Sequence, residues 1–185
     1  MASEYLRQFL HLLFGSAIIL ILLFLGKSAA LLFCTTALVF ALALSHLVKN
    51  GATTGFLQKI TENSVRPSEK NFPMRGPVTF CTGIILATII SQTTNAALGA
   101  AIILVFGDGF STLAGKKFGK IRLTDRHTLE GTLGGIMVSF AILASFLEIF
   151  SALFASTIAM LSELSGLEDN ITIPVTAAIV LSLII

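Results

Sequence analysis

Seven apolar runs, parted by short polar breaks, constrain this chain more than any other feature. They cover residues 10–26, 28–48, 77–91, 95–107, 132–147, 149–161 and 171–185. In lipid a backbone must satisfy its own hydrogen bonds, so runs of this kind are read as helices. Nothing alternates with period two over the length a barrel strand needs. A full crossing takes ~20 apolar residues, and several of these runs are shorter. Short helices thin the bilayer or borrow flanking residues to reach the interface. Charged residues make up 12% of the chain, against about 25% in a soluble domain. That excludes a disordered chain, a coiled coil and a nucleic-acid module, whose basic face needs more charge. The expected fold class is all-α: a polytopic membrane helical bundle of about seven hydrophobic segments with two basic cytoplasmic loops, in one domain over 1–185.

The cations are concentrated. Lys49, Lys59, Arg66, Lys70 and Arg75 fall in one loop, 49–76, and Lys116, Lys117, Lys120, Arg122 and Arg126 in another, 107–130. Together they are ten of the twelve; Arg7 and Lys27 are the others. The positive-inside rule puts both loops in the cytoplasm. The two runs between them, broken by Gln92-Thr93-Thr94-Asn95, return the chain to its starting side. This predicts an integral membrane protein whose N-terminus and catalytic loops face the cytoplasm.

Read as one helix, residues 132–161 would be ~45 Å long at 1.5 Å per residue. That overshoots a hydrocarbon core of ~30 Å. Glu148 sits in its middle, where a lone carboxylate is costly. The expected form is a hairpin turning near Glu148 at the outer interface. The acidic stretch 163–170 then faces the same water as Asp108.

Smaller features are read conservatively. Cys34 and Cys81 lie inside apolar runs and pack as small hydrophobes, not as a disulfide or metal pair. His11 and His46 are helix-packing or interfacial residues, and the fifteen phenylalanines are lipid-facing or packing bulk. No cleavable signal peptide is expected. Residues 53–60 form a weakly amphipathic interfacial helix through Phe56, Leu57 and Ile60, after which Pro67 and Pro73 break regular structure.

The stretch that carries chemistry is Gly107-Asp108-Gly109-Phe110-Ser111-Thr112-Leu113-Ala114-Gly115-Lys116-Lys117-Phe118-Gly119-Lys120. If it is helical, Ser111, Gly115 and Gly119 share one face, with Asp108 and Thr112 on the neighbouring stripe. A glycine face lets a backbone or a phosphate approach closely. Asp108 is a hard oxygen ligand suited to Mg²⁺, which takes one or two carboxylates plus substrate phosphates. The spacing is neither a Walker A loop nor a Rossmann fingerprint. A plain alternative is a small-xxx-small packing face beside positive-inside lysines. Against it stand further acids assigned to the same side: Glu130 in His127-Thr128-Leu129-Glu130-Gly131, then Glu163, then Asp169 in Asp169-Asn170-Ile171-Thr172-Ile173-Pro174.

Taken in order, these motifs resemble those of the integral-membrane polyprenol kinase family, which includes dolichol kinase, phytol kinase and CTP-dependent diacylglycerol kinase. The family pattern is Gly-Asp, then Gly-basic-basic-x-Gly, then Lys-Thr-x-Glu-Gly, then Asp-Asn-apolar-Thr-apolar-Pro. It is matched by Gly107-Asp108, Gly115–Gly119, 127–131 and 169–174, with His127 standing where the family has lysine. Arg7-Gln8-Phe9-Leu10-His11 and Arg75-Gly76-Pro77 resemble its opening and its middle turn.

The resemblance implies a kinase moving the γ-phosphoryl of CTP, or of another nucleoside triphosphate, onto a membrane lipid alcohol, with Mg²⁺ as cofactor. Asp108, Glu130 and Asp169 would then be catalytic, and Asp108, Glu130 and Glu163 the metal ligands. Ser111, Thr112, Gly115, Lys116, Lys117, Gly119, Lys120, Arg126, His127, Thr128 and Asn170 would bind the nucleotide. The expected partners are the lipid alcohol, the nucleotide and the bilayer, with no nucleic acid; self-association as a homo-oligomer is left open. The alternatives are a cytidylyltransferase making a CDP-activated lipid, whose Lys-Asp and Asp-Arg-x-x-Asp patterns are missing, and a small membrane transporter or assembly subunit.

Overall fold

The computed structural model describes residues 2–50 and 72–185. The expected interfacial helix 53–60 and the cations Lys59, Arg66 and Lys70 lie outside the described residues. Of the described residues 84% are helical, and none forms a strand. The order is α1 (Ala2–Lys49), α2 (Arg75–Ile90), α3 (Thr94–Ile102), a π-helical segment (Ile103–Asp108), α4 (Gly109–Phe118), α5 (Leu129–Leu143), α6 (Ile149–Leu161), a 3-10 turn (Ser162–Ser165) and α7 (Asp169–Ile184). Among the described residues, two helices are long and apolar enough to cross a membrane: Leu6–Lys49, and Thr94–Phe118, which runs unbroken from α3 through α4.

The first of these is bent double. Gly26, with φ 80° and ψ −175°, leaves the helical region inside α1. Only glycine occupies that backbone region readily. Phe14 and Phe33 would be ~28 Å apart along a straight helix, yet their ring centroids are 5.5 Å apart. The chain therefore reverses at Gly26, which divides the sequence where runs 10–26 and 28–48 meet. Lys27, just past the bend, donates to the Ser91 carbonyl at the far end of α2. At the other end of the hairpin Ser45 donates to the Pro73 carbonyl at 2.6 Å, just before α2 begins.

The α3 helix is the centre of the bundle. Residues Ala96 to Val105 are all buried, and Ile18, Leu22, Leu143, Met160, Ile173 and Leu181 close around them from α1, α5, α6 and α7. Thr93 caps α3 by accepting from the Ala96 amide at 3.0 Å. The expected turn at Glu148 is present: α5 ends at Leu143, and Glu148 caps α6 by accepting from the Ser151 amide at 2.9 Å. The outside is apolar as well, with Phe150 and Leu183 each 78% exposed and Phe24 75% exposed.

One boundary differs from the sequence reading, which began a loop at Gly107. The helix continues through that point, because the π-helical segment carries it past Asp108 into α4. The loop proper spans only 119–128.

Candidate functional site

Four segments bring chemistry to the end of the bundle that holds the α2 and α7 N-termini. The first is the π segment with α4. It ends on Asp108, which is followed by Ser111, Thr112, Gly115 and Lys116 along α4; single π turns inside α-helices often mark such sites. The second is α1, where His11 Nε2 lies 3.3 Å from the Leu104 carbonyl and 3.9 Å from Asp108 Oδ2. The His11 ring stands edge-on to Phe80, with centroids 4.9 Å apart.

The third is the loop before α5, which is fixed by its own backbone. Leu123 N donates to the His127 carbonyl at 3.0 Å, and Leu129 N donates to Ile121 O at 2.9 Å. The Thr124 hydroxyl accepts from the Arg126 and His127 amides at 3.3 and 3.1 Å. Thr128 then caps α5 by accepting from Gly131 N at 3.2 Å. The loop thereby holds His127 inward. The fourth segment is the stretch from the 3-10 turn to α7, with Glu163, Glu168, Asp169 and Asn170.

Glu163 is the buried hub, 1% exposed. The Thr132 hydroxyl donates to its Oε1, and the Ser111 hydroxyl donates to its Oε2 at 3.3 Å. His127 Nδ1 lies 3.6 Å from the same Oε2, and His127 Nε2 lies 3.6 Å from Asp169 Oδ2. Burial pushes the Glu163 carboxyl up to about 7, reinforced by the Asp108 charge, while the Thr132 and Ser111 hydroxyls pull the other way. The second oxygen of Asp169, Oδ1, is buried without a hydrogen-bond partner.

Of these groups Asp108, Ser111, His127 and Asp169 border a cavity of about 1160 Å³, while Glu163 and Thr132 are not in its lining. Thr112, Lys116, Arg122 and Arg126 add polar and charged lining, and Leu10, Leu13, Phe14, Ala17, Ala37 and Phe40 of α1 add an apolar wall. Arg75 and Glu168, paired with each other, stand at its wall.

The structure thus gathers Asp108, Ser111, Thr112, Gly115, Lys116, Arg126, His127, Thr128, Asp169 and Asn170 around one space. It does not bring Glu130 there. The Glu130 carboxylate accepts from Lys120 N at 3.0 Å and Ile121 N at 3.3 Å, and it borders a separate shallow depression with Lys117, Gly119 and Lys120. Glu130 precedes Gly131, whose face meets α4, and a step of ~100° per residue turns it away. Glu130, expected as a catalytic and metal-binding residue, and Lys117, Gly119 and Lys120, expected as nucleotide contacts, thus do not border the larger cavity. Lys117 instead lies over the Phe118 ring.

Glu163 stands behind the site, with both its oxygens accepting from protein hydroxyls. Gly115 is also partly spoken for. A Cβ on Gly131 would lie 2.8 Å from Ser111 O and 3.1 Å from Gly115 Cα, so the glycine face of α4 serves close packing with α5. Asn170 donates to the Thr79 hydroxyl at 3.1 Å and ties α7 to α2. Among the described residues, no three His, Cys, Asp or Glu side chains are grouped to hold a metal by themselves. Cys34 and Cys81 are buried free thiols, as expected.

Sequence reasoning took His11 chiefly as a packing or interfacial residue, though within a stretch like the family's opening, and took Arg122, with Arg126, as a replacement for the charge of the family lysine at His127. The four-residue step from Arg7 to His11, which puts both on one helix face, was the available signal for the first. Compared with known protein families, with curated proteins and with solved structures, the chain matches none.

Proposed function

We propose that this chain is an integral membrane lipid-alcohol kinase that moves the γ-phosphoryl of a nucleoside triphosphate, CTP by resemblance, onto a primary hydroxyl. One observation carries the reading: a single cavity is bordered both by charged groups and by an apolar wall from α1. Its size is at the upper end for small-molecule sites, which run to about 1,000 Å³, and suits two ligands. In this reading the hairpin halves of α1, the helices α2, α5, α6 and α7, and the continuous helix Thr94–Phe118 make seven crossings. Apolar side chains as exposed as Phe24, Phe150 and Leu183 are at home in lipid. The positive-inside rule supports a cytoplasmic position for Lys116, Arg122 and Arg126 and the cavity they border.

Phosphoryl transfer asks a protein mainly for alignment and charge neutralisation. Lys116, Arg122 and Arg126 would neutralise the triphosphate, and the Thr112 hydroxyl would donate to it. The residues present fit a nucleotide-borne Mg²⁺. Asp108 faces the cavity, and Mg²⁺ needs only one or two carboxylates when phosphates supply the rest. The ion would screen the charge that develops on the β- and γ-phosphate oxygens. Asp169, whose side chain borders the cavity, would orient the acceptor hydroxyl and accept its proton. Leu10, Leu13, Phe14 and Phe40 would hold the carbons nearest that hydroxyl.

The test is product identity. Purified protein in nanodiscs, given γ-labelled CTP, Mg²⁺ and geranylgeraniol, should yield labelled lipid phosphate and CDP. Release of pyrophosphate with a CDP-lipid would point instead to cytidylyl transfer, and no labelled lipid at all would count against both.

A further inference from the structure

Three elements converge on one imidazole. His127 comes from the loop before α5, with Glu163 of the 3-10 turn 3.6 Å from its Nδ1 and Asp169 of α7 3.6 Å from its Nε2. The ring is only 13% exposed, and it borders the cavity. Both distances exceed a hydrogen bond, and such contacts in ligand-free sites tighten when substrate binds. Glu163 is in turn fixed by Thr132 and Ser111. This is the arrangement of a base held by an orienting carboxylate. A residue that only packs would not need an acid at each ring nitrogen.

We propose that Glu163, His127 and Asp169 form a proton relay for the acceptor hydroxyl, an inference that rests on the kinase reading. The hydroxyl O–H bond breaks, and its proton passes to the carboxylate of Asp169, a residue that borders the cavity and faces His127 Nε2 through Oδ2. The acceptor oxygen forms a bond to the γ-phosphorus. The bond from that phosphorus to the β–γ bridging oxygen breaks, and its electron pair leaves with the nucleoside diphosphate. The proton then moves from Asp169 to His127 Nε2 and on to water, while Nδ1–H stays turned to Glu163. His127 is a positioning and proton-holding residue; Asp169 is the group that touches substrate. The other charged or titratable groups bordering the cavity with this relay are Asp108 at the end of the π segment, Lys116 on α4, Arg122, Asp125 and Arg126 on the loop, Arg75 on α2, Glu168 before α7, and Arg7 and His11 on α1, the last facing Asp108.

The experiment uses the full chain in nanodiscs with geranylgeraniol, CTP and Mg²⁺, comparing wild type, His127→Ala, Glu163→Gln and Asp169→Asn. His127→Ala should lower kcat at least ~100-fold, in the range of acid–base catalysis, with KM for both substrates unchanged. It should regain part of its rate with free imidazole. In ¹⁵N-histidine spectra of wild type, neutral His127 should carry its proton on Nδ1, a preference that Glu163→Gln removes. His127→Ala with wild-type kcat, or with a change in KM alone, overturns the relay and leaves the kinase reading standing. A proton on Nε2 in wild type also overturns the relay, in active or inactive protein. No labelled lipid from wild type overturns the kinase reading itself.

Discussion

Phe14 and Phe33 face each other at 5.5 Å between ring centroids, although nineteen positions separate them in the chain. That contact exists because Gly26 turns the chain back. It also brings the two halves of α1 together as the apolar wall of the cavity. Gly26→Ala forces a Cβ into a backbone region that costs about 1–3 kcal/mol for other residues. The variant should melt earlier in detergent than wild type. An unchanged melting temperature would show that the reversal does not depend on Gly26.

Glu163 sets a pH dependence whose direction can be worked out. In the unfolded chain it titrates near its ordinary 4.5, and in the fold near about 7. The folded state therefore binds the proton more tightly. The contribution of Glu163 is fully present below about 4.5 and is lost as the pH rises through about 7. Thermal melts in EDTA should show stability falling across that window. Glu163→Gln should flatten the fall. If the slope survives in the variant, another group is responsible for it.

The α4–α5 crossing depends on the absence of a side chain at Gly131. A Cβ there would meet Ser111 O at 2.8 Å. Forced overpacking typically costs about 1–3 kcal/mol. Gly131→Ala should destabilise the protein and, by moving Ser111 off Glu163, slow turnover further than Gly134→Ala does. Equal turnover in the two variants would remove Ser111 from the account.

Phe14 tests the apolar wall. Phe14→Trp adds bulk where the acceptor's first carbons would lie. KM for the lipid alcohol should rise several-fold while KM for CTP stays put. A rise in KM for CTP instead would mean that the cavity walls are assigned the wrong way round.

Much of this architecture was legible in the sequence, and the reasons are local. The break between runs 10–26 and 28–48 sits at Gly26, whose lack of a Cβ permits the bend. The turn at Glu148 is a helix cap, which a carboxylate before an apolar run announces. The contacts among His127, Glu163 and Asp169 were not legible. They join residues 36 and 42 positions apart, and only the packed helices decide which side chains meet. The π segment before α4 was hidden as well: it changes how Asp108 is rotated relative to the helix that precedes it, and no spacing reports that. Glu130 shows the limit most plainly. Its motif looked right, but one residue of helical rotation, ~100°, turns it from the cavity to the Lys120 and Ile121 amides.

The most direct measurement is transfer of label from γ-labelled CTP to geranylgeraniol by wild type and Asp108→Asn, both in nanodiscs and matched for folding by their melting curves. The account predicts labelled lipid phosphate from wild type and a loss of at least ~100-fold in kcat for Asp108→Asn, comparable to removing a preorganised electrostatic contact at the reacting group. Equal rates from the two proteins would contradict it.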